Sequence, residues 1–173
     1  MFKNWLKEDK AVIAIEVGIL MPVMLTLLLG VMDIGTGVYI NQKLIDADQM
    51  IADLVTRNPT VSAAVDLPNA ITAGQLTMQP YSTTTFGVDI VGIQFGNPTP
   101  TPAIVWRDTV NMQPNPNVPA NAANLGSASE GVVVVTAVYT YVPFFLGGLS
   151  STSYPMQEIS FARGRNGLFI PET

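Results

Sequence analysis

The sequence predicts an α+β protein: one long N-terminal helix, transmembrane in its first half, packed on a small, mainly antiparallel β-sheet. Three observations predict it. Residues 11–32 form an apolar run with a single charge, Glu16. The pattern then becomes amphipathic at helical spacing as far as Arg57. Beyond Pro59, runs rich in Val, Ile and Tyr alternate with turns rich in Asn, Pro and Gly.

The apolar run reads AVIAIEVGILMPVMLTLLLGVM. A bilayer core needs about 20 apolar residues in helix, and the run meets that length. A secretory signal has an apolar region of roughly 7–15 residues followed by a small-residue cleavage site, which is missing here. A plain signal anchor is the alternative reading. Lys3, Lys7 and Lys10 precede the run and Asp33 follows it. The positive-inside rule therefore places residues 1–10 in the cytoplasm and the C-terminal body beyond the membrane, as a single-pass protein.

Two residues of the run stand out. A carboxylate at the bilayer centre costs about 3 kcal/mol, which makes Glu16 a candidate functional group in need of a partner. The competing reading is a Glu that reaches the headgroups from near the cytoplasmic end. Pro22 lacks an N–H, so the Gly18 carbonyl loses its helical partner and a kink or local melting is expected. Packing alone is the competing account of Pro22.

Past Asp33 the helix continues. Ile40, Leu44, Ala47, Ile51 and Leu54 share one face, while Gln42, Asp46, Gln49, Asp53 and Arg57 share the opposite one. Asn58-Pro59 ends the helix, because the residue before Pro disfavours helical geometry. A short helix is expected after Asp66-Leu67-Pro68, with Asp66 as its cap and Pro68 in its first turn.

Four strands are expected. Thr85 to Phe95 reads as the first and Ala103 to Arg107 as a short second. Gly131 to Val142 is apolar on both faces and should be central. Gln157 to Arg163 alternates, with Ile159 and Phe161 on one face and Glu158 and Ser160 on the other, which suits a half-exposed strand. Residues 108–130, rich in Asn, Pro and Ser, are read as a solvated loop, with an exposed recognition loop as the alternative. Leu146 to Pro155 is read as a second loop. Trp106, Tyr139 and Tyr141 are assigned to packing.

Composition narrows the function. Of 173 residues, 48% are hydrophobic and only 12% charged, against about 25% charged in ordinary globular domains. Part of the chain is therefore not built to face water. The net charge of −5 and the lack of a basic cluster argue against a nucleic-acid partner, whose phosphates need cations. The chain has no Cys and no His, which removes thiol nucleophiles, imidazole bases and the commonest zinc ligands. Asp46 and Asp48, two apart on a helix, do not face each other and make no catalytic pair. No cofactor, no metal site and no enzymatic activity are expected.

The stretch from Lys10 to Asp33 resembles the N-terminus of the TadE-like pseudopilins of Tad (type IVc, Flp) pilus systems. Those proteins carry a short basic leader, a small residue, four mostly apolar residues, a Glu and a long apolar helix containing Pro. Here the match is Ala11, then Val12-Ile13-Ala14-Ile15, then Glu16, with LMPVMLTLLLGVMDIG behind it. Pro22, Asp33 and Gly35 fit the same pattern, and LTMQPY, AIVWRD and VVVVTAVYTYVPF resemble the head region more weakly. Ala11 stands where the family usually has Gly, and Val17 where it often has Phe or Tyr. The latter departure and the large head point to a minor subunit.

The resemblance implies a pilin-like fold and a division into a cytoplasmic leader (1–11), the transmembrane half of the helix (12–33), its amphipathic half (34–57) and an exported head (58–173). It implies that a prepilin peptidase cuts between Ala11 and Val12. The new amine of Val12, in the same or a neighbouring subunit, would then pair with Glu16. The expected partners are the membrane, the peptidase, other pilin and pseudopilin subunits and the pilus assembly platform. The expected location is the inner membrane, with the head periplasmic, and then an extracellular pilus. The alternative is a signal-anchored periplasmic binding module or adhesin with an uncleaved N-terminus.

Overall fold

The computed structural model describes residues 9–114, 118, 120–122, 124–150, 152–165 and 169–173. Lys3, Lys7 and most of the expected leader lie outside the described residues. The chain divides into two compact units, Met1–Val38 with Val142–Ser153, and Tyr39–Tyr141 with Tyr154–Thr173.

Helix α1 runs without interruption over Asp9–Thr56, through Pro22. The local melting expected at Pro22 is absent, and Thr26 Oγ1 donates to the Pro22 carbonyl at 2.8 Å one turn on. In the first unit the helix is apolar all round, with an 18-residue window of mean hydropathy 2.5. It is the one helix among the described residues long and apolar enough to cross a membrane. The same unit holds a short helix at Phe144–Ser150, numbered α3 below. It replaces part of the loop expected at 146–155, and its N-terminal turn is satisfied by a side chain of α1, described below.

The second unit is the head. Its helices are the amphipathic end of α1 and α2, Asp66–Thr77. Its sheet has strands β1 (Gly87–Phe95), β2 (Pro102–Val110), β3 (Gly131–Tyr141) and β4 (Tyr154–Ala162). The order is β2-β1-β3-β4, and every pairing is antiparallel. β1 and β3 are central because they carry apolar side chains on both faces.

On the inner face, Ile40, Leu44, Ala47, Ile51 and Val55 of α1 share one buried cluster with Val88 and Ile90 of β1 and Val133, Val135 and Ala137 of β3. The polar residues expected opposite, Gln42, Asp46, Gln49, Asp53 and Arg57, are all exposed. α2 adds Leu67, Ala70 and Ile71 to the cluster. A Cβ on Gly74 would lie 2.5 Å from Ile51 Cδ1, so a glycine is what lets α2 approach α1 there. Asp66 is not the cap: the cap position is Val65, and the Asp66 carboxylate instead accepts the Ser62 N–H at 2.8 Å.

The outer face holds a second cluster: Val91, Ile93 and Phe95 of β1 with Val132 and Val134 of β3. It is closed by buried Ala122, with Val118 and Leu125 partly buried on it. The 111–130 connection is therefore not simply solvated, because two-sided apolar strands need cover on both faces. Positions 115–117, 119 and 123 of that loop lie outside the described residues.

The edge strand β4 is half-exposed, as its alternation predicts. Met156, Glu158, Ser160 and Ala162 turn toward the helix side, while Ile159 and Phe161 are 40% and 36% exposed. The two faces divide as expected, and it is the polar pair that sits on the inner one.

Candidate functional site

The most unusual surface of the molecule is the first half of α1. Val17, Leu20, Met21, Met24, Leu27, Leu28 and Val31 are all at least half exposed. A helix hydrophobic all round belongs in a core or in lipid, and no described residue of the first unit buries this one. Exposed apolar surface of this extent marks a membrane or protein interaction site.

Ala11 and Val12 lie near the start of α1, which begins at Asp9, so the peptide bond between them is helical. Val12 and Glu16 are one turn apart on the same face, at i and i+4. Glu16 is exposed and has no hydrogen-bond or ion-pair partner among the described residues. Pro22 lies six positions further, about 120° round the helix from Glu16, and is not brought to the same place.

Asp33 ends the apolar stretch. Its carboxylate is buried, 6% exposed, and accepts three backbone N–H groups of α3: Phe144 at 3.1 Å, Phe145 at 3.0 Å and Leu146 at 2.8 Å. The first N–H groups of a helix lie ahead of its own hydrogen-bond ladder, and a carboxylate placed there also meets the positive end of the helix. In the sequence Asp33 marks only the flank of the span. The signal for its cap role was Pro143, which starts a turn that would otherwise leave its N–H groups bare.

A cap of this kind makes a local prediction. Losing charge-assisted bonds to buried donors costs about 2 kcal/mol. Asp33→Ala should speed amide exchange at residues 144–146 about 30-fold. Unchanged exchange at those amides would show that the cap does not hold the turn.

A second polar site lies inside the head. Asp48 is 2% exposed, and burial pushes its carboxyl up to about 7 from an ordinary 3.8. Ser160, whose hydroxyl donates to the Asp48 backbone carbonyl at 3.3 Å, moderates the shift, and the Glu158 carboxylate adds to it. Asp48 Oδ1 has no hydrogen-bond partner among the described residues. Glu158 in turn accepts from Asn41 Nδ2 at 3.1 Å. No buried role is among the expectations for Asp48; the signal for one is the stripe 44, 48, 51, 52 and 55, with Asp48 in its middle.

On the outer face Asp89, 3% exposed, is held by Arg107 Nε at 3.2 Å and by Thr109 Oγ1 at 2.7 Å. Its charge is matched inside the sheet. Among the described residues, no group of three or more His, Cys, Asp or Glu is placed to hold a metal ion.

Residues 11–52 match the model of the family described as TadE-like protein. The match lies wholly within α1 and covers Val12, Glu16, Pro22, Asp33 and Asp48. No curated protein and no solved structure matches the chain.

Proposed function

We propose that this chain is a minor pilin-like structural subunit of a Tad (type IVc) pilus. One observation carries the proposal: the segment that matches the TadE-like family is also the helix whose first half is exposed, apolar all round and broken by one carboxylate. Such a surface is stable only among lipids or among other apolar helices. A subunit that waits in the inner membrane and then joins a filament uses both environments in turn. The role is structural and not enzymatic.

In this reading α1 crosses the inner membrane once, with the N-terminus cytoplasmic and the head periplasmic. A prepilin peptidase cuts between Ala11 and Val12. The freed amine at Val12 lies one helical turn from Glu16, or faces Glu16 of a neighbour. In a low dielectric a paired amine and carboxylate cost far less than either ion alone. The pair fixes the axial register in which subunit helices pack.

The proposal is tested by intact mass and N-terminal sequencing of the protein from cells with and without the peptidase. A peptidase-dependent start at Val12 is expected. A start at Met1 in both would favour the anchored binding module instead. Glu16→Ala removes a group that costs about 3 kcal/mol in hydrocarbon, so insertion should be kept or improved. Pilus assembly should nevertheless fall at least tenfold, the loss of about 1.4 kcal/mol per subunit contact. Normal pili from that variant would remove the pairing role of Glu16.

A further inference from the structure

The Asp33 cap has a consequence for the segment it holds. Residues 142–157 contain no charged side chain, and the turn they open with reads VPFFLGGL. Phe144 is 92% exposed and Val142 is 59% exposed. Phe144 is also the first of three residues whose N–H groups donate to Asp33, the first charged residue after the apolar run of α1. The turn is thus tied to the helix at the level where the run ends. On either side of Asp33 in α1, Met32 and Ile34 are 61% and 65% exposed. The two apolar surfaces belong to one compact unit and are continuous in kind.

The geometry points to a lipid-facing anchor: the turn at Val142–Gly148 seats Phe144 and Val142 in the interfacial layer of the bilayer that α1 crosses. This inference rests on the spanning reading of α1. Three features suit that occupant. The segment is uncharged, so it enters the headgroup–acyl boundary without desolvating an ion. Its exposed groups are an aromatic ring and a branched aliphatic chain, which partition into that layer. The Asp33 carboxylate, which would be costly at that depth, has three N–H partners and is shielded from lipid. The turn gives the exported side of the protein a second membrane contact, which resists rotation of α1 about its own axis.

The test uses the full chain, which has no cysteine of its own. Phe144→Cys and Val142→Cys are each labelled with an environment-sensitive fluorophore. Leu28→Cys serves as the label within the span and Thr99→Cys as the label on an exposed head loop. Each protein is reconstituted at high dilution into vesicles of lipid alone, with nitroxide quenchers carried either near the headgroup or deep in the acyl chain. The expected result is blue-shifted emission from positions 144 and 142, lost on adding the shallow quencher. Position 28 should be quenched by the deep one, and position 99 by neither. The inference is overturned if position 28 is quenched while 144 and 142 both emit like position 99. If position 28 itself emits as in water, the spanning reading of α1 fails and the anchor fails with it.

Discussion

Asp48→Asn should leave stability nearly unchanged at pH 4 and raise it above pH 7 by up to about 4 kcal/mol. The group is 2% exposed on the inner face, and its carboxyl is pushed up from 3.8 to about 7, first by burial and then by Glu158. A raised carboxyl binds its proton more tightly folded than unfolded. The stability it supports is therefore complete below pH 3.8, falls as pH rises, and is lost once pH passes about 7. Each pKa unit is worth about 1.4 kcal/mol, so a shift of about three units sets a ceiling near 4 kcal/mol. Relaxation and water entry reduce it, to roughly half. Asn keeps the shape and cannot ionise, so its advantage should grow from pH 4 to pH 7 and level off above. Thermal or urea unfolding of the detergent-solubilised chain at pH 4, 6 and 8 reads this directly. Parallel curves for the two proteins would mean that Asp48 stays ionised and solvated in the fold.

Much of this architecture was legible because periodicity is a direct consequence of backbone geometry. The α1 stripe at 40, 44, 47 and 51 and the exposed row at 42, 46, 49, 53 and 57 fell where spacing put them. The strands of the head lie within a few residues of where their composition places them, and β3 is central, as its two apolar faces require. The family resemblance at the N-terminus is matched over residues 11–52.

What escaped depended on partners far apart in sequence. Alternation says that Glu158 and Ser160 share a face of β4, but not which face. The side was decided by α1, which offers Asn41 and the Asp48 backbone to them, so that polar groups meet on the inner side at the edge of the sheet. Ile159 and Phe161 are turned outward as a result. Likewise nothing within residues 111–130 says that Ala122 closes a cluster. That follows only from the apolar outer faces of β1 and β3. The Asp33 cap joins residues 111 or more positions apart and leaves no periodic trace.

The second large effect should come from Trp106→Ala, which we expect to bring the head to the edge of unfolding. Trp106 is 5% exposed and stands in register with Gly92 of β1, over whose bare Cα its indole lies. Its Nε1–H donates to the Ile170 carbonyl at 2.7 Å, in a tail that also pairs with Val61 through Pro171 and Thr173. Truncation removes a large buried ring, at about 3–5 kcal/mol, and leaves a buried carbonyl without its donor, at about 1–3 more. That compares with about 5–15 kcal/mol for a whole domain. Trp106→Phe keeps most of the packing and should lose only the smaller share. Gly92→Ala should also destabilise strongly, because its Cβ would enter the Trp106 ring. The two changes must then be coupled: in a Trp106→Ala background the space is vacant, and Gly92→Ala should cost about 1–3 kcal/mol less than it does alone. Strict additivity in that cycle would mean that the ring does not rest on Gly92, and the sheet-to-tail contact would need another explanation.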